Sequence, residues 1–232
     1  MSPRTTSVTV SLVRECELWD AGARVVAGID EVGRGALAGP VSVGVVAVTR
    51  CDAWPSGLAD SKQLTAPRRV QMADALAGFG VARAVGHASP AEIDEHGIVP
   101  ALRVAGWRAL AQIAAEGVAV DAVLLDGKHD WLMPPSADLF AASAARENVP
   151  ALPVTMVIGG DNLCASIAAG SVLAKVERDA LMVQAHGAHP HYGWDGNKGY
   201  GAEGHLDALR RLGPTAMHRR SWKLPERETV DV

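Results

Sequence analysis

Residues 25–48 read VVAGIDEVGRGALAGPVSVGVVAV. The apolar run Val25–Ile29 leads into two adjacent carboxylates, Asp30 and Glu31, and then into Gly33-Arg34-Gly35. A second apolar run, Val41–Val48, follows Gly39-Pro40. The pattern predicts strand, functional turn, strand. Carboxylates at the end of a buried strand are costly unless a cation meets them. A two-glycine turn directly after them lets main-chain amides approach a ligand closely. Neighbouring strand residues point to opposite faces, so the sequence predicts that the strand ends or bends at Asp30-Glu31. Taken alone, the same stretch also reads as a solvated strand end.

Two further apolar runs deliver a carboxylate in the same way. Val120–Leu125 ends at Asp126-Gly127, and Val154–Ile158 ends at Gly159-Gly160-Asp161. Each taken alone is also an ordinary turn, since Asp beside Gly is common there. A sheet brings distant strand ends to one edge, where four carboxylates would repel one another. Hard divalent cations, Mg²⁺ or Mn²⁺, relieve that repulsion. Two of them about 4 Å apart clamp the attacking and leaving oxygens of a phosphodiester.

Composition bounds the rest. The 232 residues are 48% hydrophobic and 21% charged, as in a globular protein with a substantial core. The net charge of −4 argues against a general basic coat for nucleic acid, and two divalent ions would bring it to about zero. Three cysteines without a C-x-x-C pair predict neither a disulfide framework nor structural zinc. The amino terminus lacks a signal-peptide pattern, and no uncharged apolar run reaches the ~18 residues of a membrane span. A cytoplasmic protein is expected.

Along the chain, a short helix is expected over Leu12–Ala21. A helix capped by Thr65 follows, with Val70, Ala73 and Leu76/Ala77 as its apolar stripe. Val81–His87 predicts a strand. Ser89-Pro90-Ala91-Glu92 has capping-box spacing, and Ala101–Ala115 predicts a helix with Leu102, Ala105, Ala109 and Ile113 on one face. Lys128–Pro153 reads as a surface excursion around a small Ala-rich helix. A long helix, Leu163–Ala185, uses Ala165, Ala168, Ala169 and Ala174 to approach a sheet. Ala202–Leu212 predicts a last helix before a basic tail. Gly33, Gly35 and Gly39 do not fit a nucleotide-cofactor loop. Ser61 and Ser171 lack a hydrolase elbow, and the loop histidines His186, His189 and His191 read as solvent-facing.

Seven ordered motifs then resemble one family: GIDEVGRGALAGPV at 28–41, DSKQLT at 60–65, LLDG at 124–127, GGD at 159–161, SIAAGSVLAKVERD at 166–179, NKGYG at 197–201 and HRRSW at 218–222. Over about Val25–Trp222 the chain resembles bacterial type 2 ribonuclease H, ribonuclease HII. The resemblance implies an α/β, ribonuclease-H-like mixed sheet flanked by helices, with a helical carboxyl-terminal part. Residues 1–24 read as a leader ahead of the resemblance, which implies a catalytic domain (25–185) and a helical, basic substrate-binding extension (186–232). Asp30, Glu31, Asp126 and Asp161 would be both the catalytic and the metal-binding residues, holding two Mn²⁺ or Mg²⁺ ions. Gly33, Arg34 and Gly35 would read the ribonucleotide 2′-OH, the local feature that separates RNA from DNA. Tyr200 would pack on the sugar of the next deoxynucleotide. Arg219 and Arg220, with Lys62, Lys175 and Arg178, are candidates for phosphate contact.

The implied activity is endonucleolytic hydrolysis of RNA in RNA–DNA hybrids, and of duplex DNA 5′ of an embedded ribonucleotide, leaving 3′-hydroxyl and 5′-phosphate ends. No obligatory protein partner is expected. Alternatives are ribonuclease HIII, whose extra substrate-binding domain has no room ahead of Gly28; a catalytically silent hybrid-binding protein; and a related nuclease acting on DNA junctions. The sequence departs from the family pattern at Gly159 (usually Lys), Ala36 (Pro), Ala202 (Thr) and Trp222 (Phe), and in a longer Asp126–Asp161 interval.

Overall fold

The computed structural model describes residues 10–133 and 149–227. Five strands form one mixed sheet in the order β3-β2-β1-β4-β5: β1 Val25–Val32, β2 Val41–Thr49, β3 Ala82–Ala88, β4 Ala122–Asp126 and β5 Val154–Val157. β1, β2 and β3 pair antiparallel, whereas β4 and β5 run parallel to β1. The carboxyl ends of β1, β4 and β5 therefore emerge on one edge, where open α/β sheets bind ligands.

β1 and β2 are buried on both faces, which is why they read as continuous apolar runs. Ala27, Ile29, Val43 and Val45 face the core shared with α4 (Ile98–Ala115). Val26, Val46 and Val48 face the core beneath α6 (Ala165–Ala188). The four alanines expected to bring α6 close to the sheet are fully buried. Contact is closest at Gly44, where a Cβ would lie 2.0 Å from the Gly170 carbonyl oxygen. Only glycine fits there. α6 also has a remote cap, because the buried Glu15, on α1 (Val13–Asp20), accepts from the Ser166 amide at 2.9 Å.

The helix expectations hold with local corrections. Ser89 and Glu92 form the reciprocal capping box that opens α3 (Pro90–His96), and Leu102, Ala105, Ala109 and Ile113 are all buried. Thr65 precedes α2 (Ala66–Ala75), but its side chain makes no capping bond. The expected stripe holds at Ala73 and Leu76, which pack into the core, but Val70 is exposed and Met72 is buried instead. The Lys128–Pro153 stretch is not wholly superficial. Trp131, Leu132 and Val149 pack into the α4 core, and the Ala-rich helix expected between them lies outside the described residues. The carboxyl-terminal helices α7 (Trp194–Asn197) and α8 (Glu203–Leu212) join α6 around Ala38, Met182, Tyr192, Trp194, Ala208 and Leu209. Among the described residues no helix is long and apolar enough to cross a membrane.

Candidate active site

The parallel β1–β4 pairing stops at Ile29 and Leu125, so Asp30 and Asp126 follow one step beyond on adjacent strands. β1 does not end at the two acids. It continues through Glu31 and Val32 against β2, pairing Asp30 with Gly44 and Glu31 with Val43. The expected strand end is instead a loss of one neighbour: past Ile29 the β4 side of β1 is open. The Glu31 amide on this stretch is taken by Asp30 Oδ1 at 2.7 Å. Asp30 and Glu31 both line one groove, together with Gly33, Arg34, Gly35, Ser61, Lys62, Ser171, Lys175 and Tyr200.

Asp161 also arrives differently from the sequence expectation. β5 ends at Val157, and Gly159 turns the chain in the left-handed region (φ +67°). Asp161 then sits on the single turn α5 (Gly160–Leu163). The departure from Lys at this position suits the turn, since glycine adopts it without strain. The Gly160 amide donates to Asp126 Oδ1 at 2.7 Å, tying the two carboxylate-bearing segments together.

The electrostatics show concentrated negative charge. Asp30 is 3% exposed, and burial, followed by the charges of Glu31, Asp126 and Asp161, pushes its carboxyl up to about 8, against a hydrogen bond from Ser171. Burial also raises Glu31 and Asp126; Arg34 opposes the shift at Glu31, and Asp161 adds to it at Asp126. Two cations moderate the cluster. Lys62 Nζ lies 3.3 Å from Asp161 Oδ2, and Arg34 Nη1 lies 3.3 Å from Glu31 Oε1. Among the described residues no three His, Cys, Asp or Glu side chains are grouped so as to hold a metal ion as they stand. The fit to divalent ions rests on four hard oxygen donors that burial and mutual repulsion leave short of positive charge.

The Gly33–Gly35 loop is held from below. Gly33 has φ +85°, and a Cβ there would meet Arg178 Nε at 2.0 Å. At Gly35 a Cβ would meet nothing within 4 Å. Arg178 and Arg219 are both fully buried, which corrects their reading as phosphate-facing residues. Arg219 donates to the carbonyls of Gly33, Arg34 and Gly39. Arg178 donates to those of Ala38, Pro40 and Lys198. Composition alone makes every arginine look superficial; only the fold shows that these two fasten main chain. Arg220 is exposed, and its amide is bonded to Asp94 Oδ2 at 2.9 Å.

Tyr200 stands at the groove, 37% exposed, with the Arg178 guanidinium 5.4 Å and Lys175 Nζ 5.9 Å from its ring centre. Its loop is tied to the glycine loop: Leu37 and Ala38 amides both donate to the Gly199 carbonyl, at 2.8 and 3.2 Å. The residues missed as site candidates are Ser61 and Ser171. Their hydroxyls are 2.9 Å apart and buried in the groove wall beside Asp30. Their signal was the DSK and SVLAK context, not a nucleophile motif.

A mixed sheet with helices on both faces and acids gathered at its parallel strand ends defines a nuclease of the ribonuclease H class. The family model for Ribonuclease HII matches residues 27–225, and the chain belongs to that family. Ribonuclease HII of Streptomyces avermitilis is 45% identical over 201 residues, covering 87% of this chain and 78% of that protein. Ribonuclease HII of Roseobacter denitrificans is 44% identical over 202 residues, covering 87% and 91%. The fold is shared with RNase HII in its PCNA complex from Archaeoglobus fulgidus (TM-score 0.64, 23% identity, 89% of this chain and 98% of that one). It is shared equally with Bst-RNase HIII in complex with Mn²⁺ (TM-score 0.65, 20% identity, 96% and 71%).

Proposed function

We propose that the chain is an endoribonuclease that cuts RNA in RNA–DNA hybrids and incises duplex DNA 5′ of embedded ribonucleotides, leaving 3′-hydroxyl and 5′-phosphate ends. The observation that carries this reading is the juxtaposition of Asp30, Glu31 and a fastened Gly33–Gly35 loop in one groove. Asp30 and Asp126, adjacent on parallel strands, with Glu31 and Asp161, would hold two divalent ions, Mg²⁺ or Mn²⁺. Such ions supply an activated water and charge neutralisation at the scissile phosphate.

The chain's own residues do the rest. Gly33, Arg34 and Gly35 present main chain to the 2′-OH, and the buried Arg219 fixes the loop by donating to the Gly33 and Arg34 carbonyls. Tyr200 meets the sugar of the following deoxynucleotide. Lys62 and Lys175 face the phosphates from the groove wall, and the 186–232 segment extends the binding surface. The protein needs no obligatory protein partner and works in the cytoplasm.

The test is Asp30→Asn. Cleavage of an RNA–DNA hybrid is lost while hybrid binding persists. Wild-type turnover by the variant contradicts the assignment.

A further inference from the structure

The carboxyl-terminal cluster contains two histidines that the chemistry above does not use. His205, on α8, and His218 are 0% and 1% exposed, and their Nε2 atoms are 3.0 Å apart. Two neighbours with unambiguous donors fix the proton on each ring. The Thr215 amide donates to His218 Nδ1 at 2.9 Å, so that nitrogen is bare and the proton of His218 is on Nε2, facing His205. The Trp194 indole, a donor only, reaches His205 Nε2 at 3.2 Å. His205 Nε2 is therefore the acceptor for both Trp194 and His218. Its own proton is on Nδ1, 2.9 Å from the Tyr200 carbonyl oxygen.

We propose that His205, with His218 behind it, is a positioning residue for Tyr200: the chain Thr215–His218–His205–Tyr200 fixes the main chain from which the groove-lining ring projects. This inference rests on the role given to Tyr200 in substrate binding. The chain has one self-consistent protonation pattern, with both rings neutral. A proton added to His218 Nδ1 would face the Thr215 amide. One added to His205 Nε2 would face the Trp194 and His218 donors.

The surroundings oppose such a proton. Burial lowers both histidines, and His205, His189 and Arg220 lower His218 further, to about 4. The Tyr192 ring packs edge-on against His218 at 4.7 Å, and its hydroxyl donates to the Gly213 carbonyl instead. The acids of the adjoining helices are engaged elsewhere or exposed: Asp195 is 3.3 Å from His186, Asp207 is 2.9 Å from Arg211, and Glu203 is at the surface.

The experiment is a mutant cycle on cleavage of a duplex carrying one ribonucleotide, together with ¹⁵N–¹H NMR of the wild-type imidazoles. His205→Ala raises KM at least about threefold with a smaller change in kcat, and Tyr200→Ala adds little in that background, as expected for coupled residues. His205→Asn, whose amide nitrogen falls near the position of Nδ1, restores most of the loss. NMR finds His205 as the Nδ1–H tautomer and His218 as the Nε2–H tautomer, with His218 still neutral at pH 5.5 and His205 titrating below the ordinary ~6.5. Additive losses, an Asn variant no better than Ala, other tautomers, or titration near the ordinary ~6.5 would overturn the proposal. If His205→Ala does not fold, the Asn variant and the tautomers decide. If Tyr200→Ala is silent in the wild type, the role of Tyr200 falls and the use of the chain with it, while the tautomers separately report whether the chain exists.

Discussion

Arg219 Nη2 donates to the Gly33 carbonyl oxygen at 2.6 Å from a side chain with no solvent exposure. The bond joins the last motif of the chain to the first, and its neighbours at Arg34 and Gly39 make it a fork gripping three carbonyls. Lysine cannot reproduce that fork. Arg219→Lys is expected to lose about 2–4 kcal/mol of stability, because buried carbonyls are left unsatisfied. Denaturant unfolding measures this. Unchanged stability would mean that the fork does not hold the loop.

The two glycines of the loop separate fold from recognition. Gly33→Ala places a methyl on Arg178 at a left-handed position, and should cost about 2 kcal/mol or more. Gly35→Ala meets open space, and should leave stability within ~0.5 kcal/mol while weakening cleavage at a ribonucleotide. Thermal melting beside cleavage assays distinguishes these effects. Equal destabilisation by both would contradict the distinction.

Asp30 makes the metal-free protein sensitive to pH. Its folded carboxyl is raised from the ordinary 3.8 to about 8, chiefly by burial. The folded state therefore keeps a proton that the unfolded chain releases, and stability falls as pH rises through that window. Glu31 and Asp126 are raised as well and act in the same direction. In EDTA the wild type should unfold more easily at pH 8.5 than at pH 6. Asp30→Asn should be more stable than wild type at pH 8.5 by roughly 1–3 kcal/mol. Saturating Mg²⁺ should shrink the pH dependence, because the cation replaces the proton. A pH-independent wild type in EDTA would refute the buried-charge account.

Lys62 reaches Asp161 at 3.3 Å, yet its side chain is 76% exposed, leaving it available to a phosphate. Lys62→Ala should weaken binding of every hybrid tested and lower the salt slope of log Kd by about 1. An unchanged slope in a salt titration would remove Lys62 from the phosphate surface.

The sheet was legible in the sequence because β1, β2 and β4 are buried on both faces and leave unbroken apolar runs. Asp30, Glu31 and Asp126 were legible because they close such runs, whereas Asp161 follows the short, largely exposed β5 and a turn. The way they arrive was not. Asp30 and Glu31 share a groove because β4 pairing stops beside them, and pairing between distant strands leaves no local mark. Arg178, Arg219, His205 and His218 were misread or passed over for the same reason. Arg219 and Arg178 fasten main-chain carbonyls as much as 186 residues away, the histidine partners are buried rings and main chain that only the fold aligns, and a charged or polar residue carries no sign of its own burial.

The central claim is that one groove combines phosphodiester chemistry with ribonucleotide recognition. A DNA duplex with a single ribonucleotide, incubated with Mg²⁺, Mn²⁺ or EDTA beside an all-DNA duplex, tests it directly. The account predicts one metal-dependent cut 5′ of the ribonucleotide and none in the all-DNA strand. Cutting of both duplexes alike, or of neither under any metal, would contradict it.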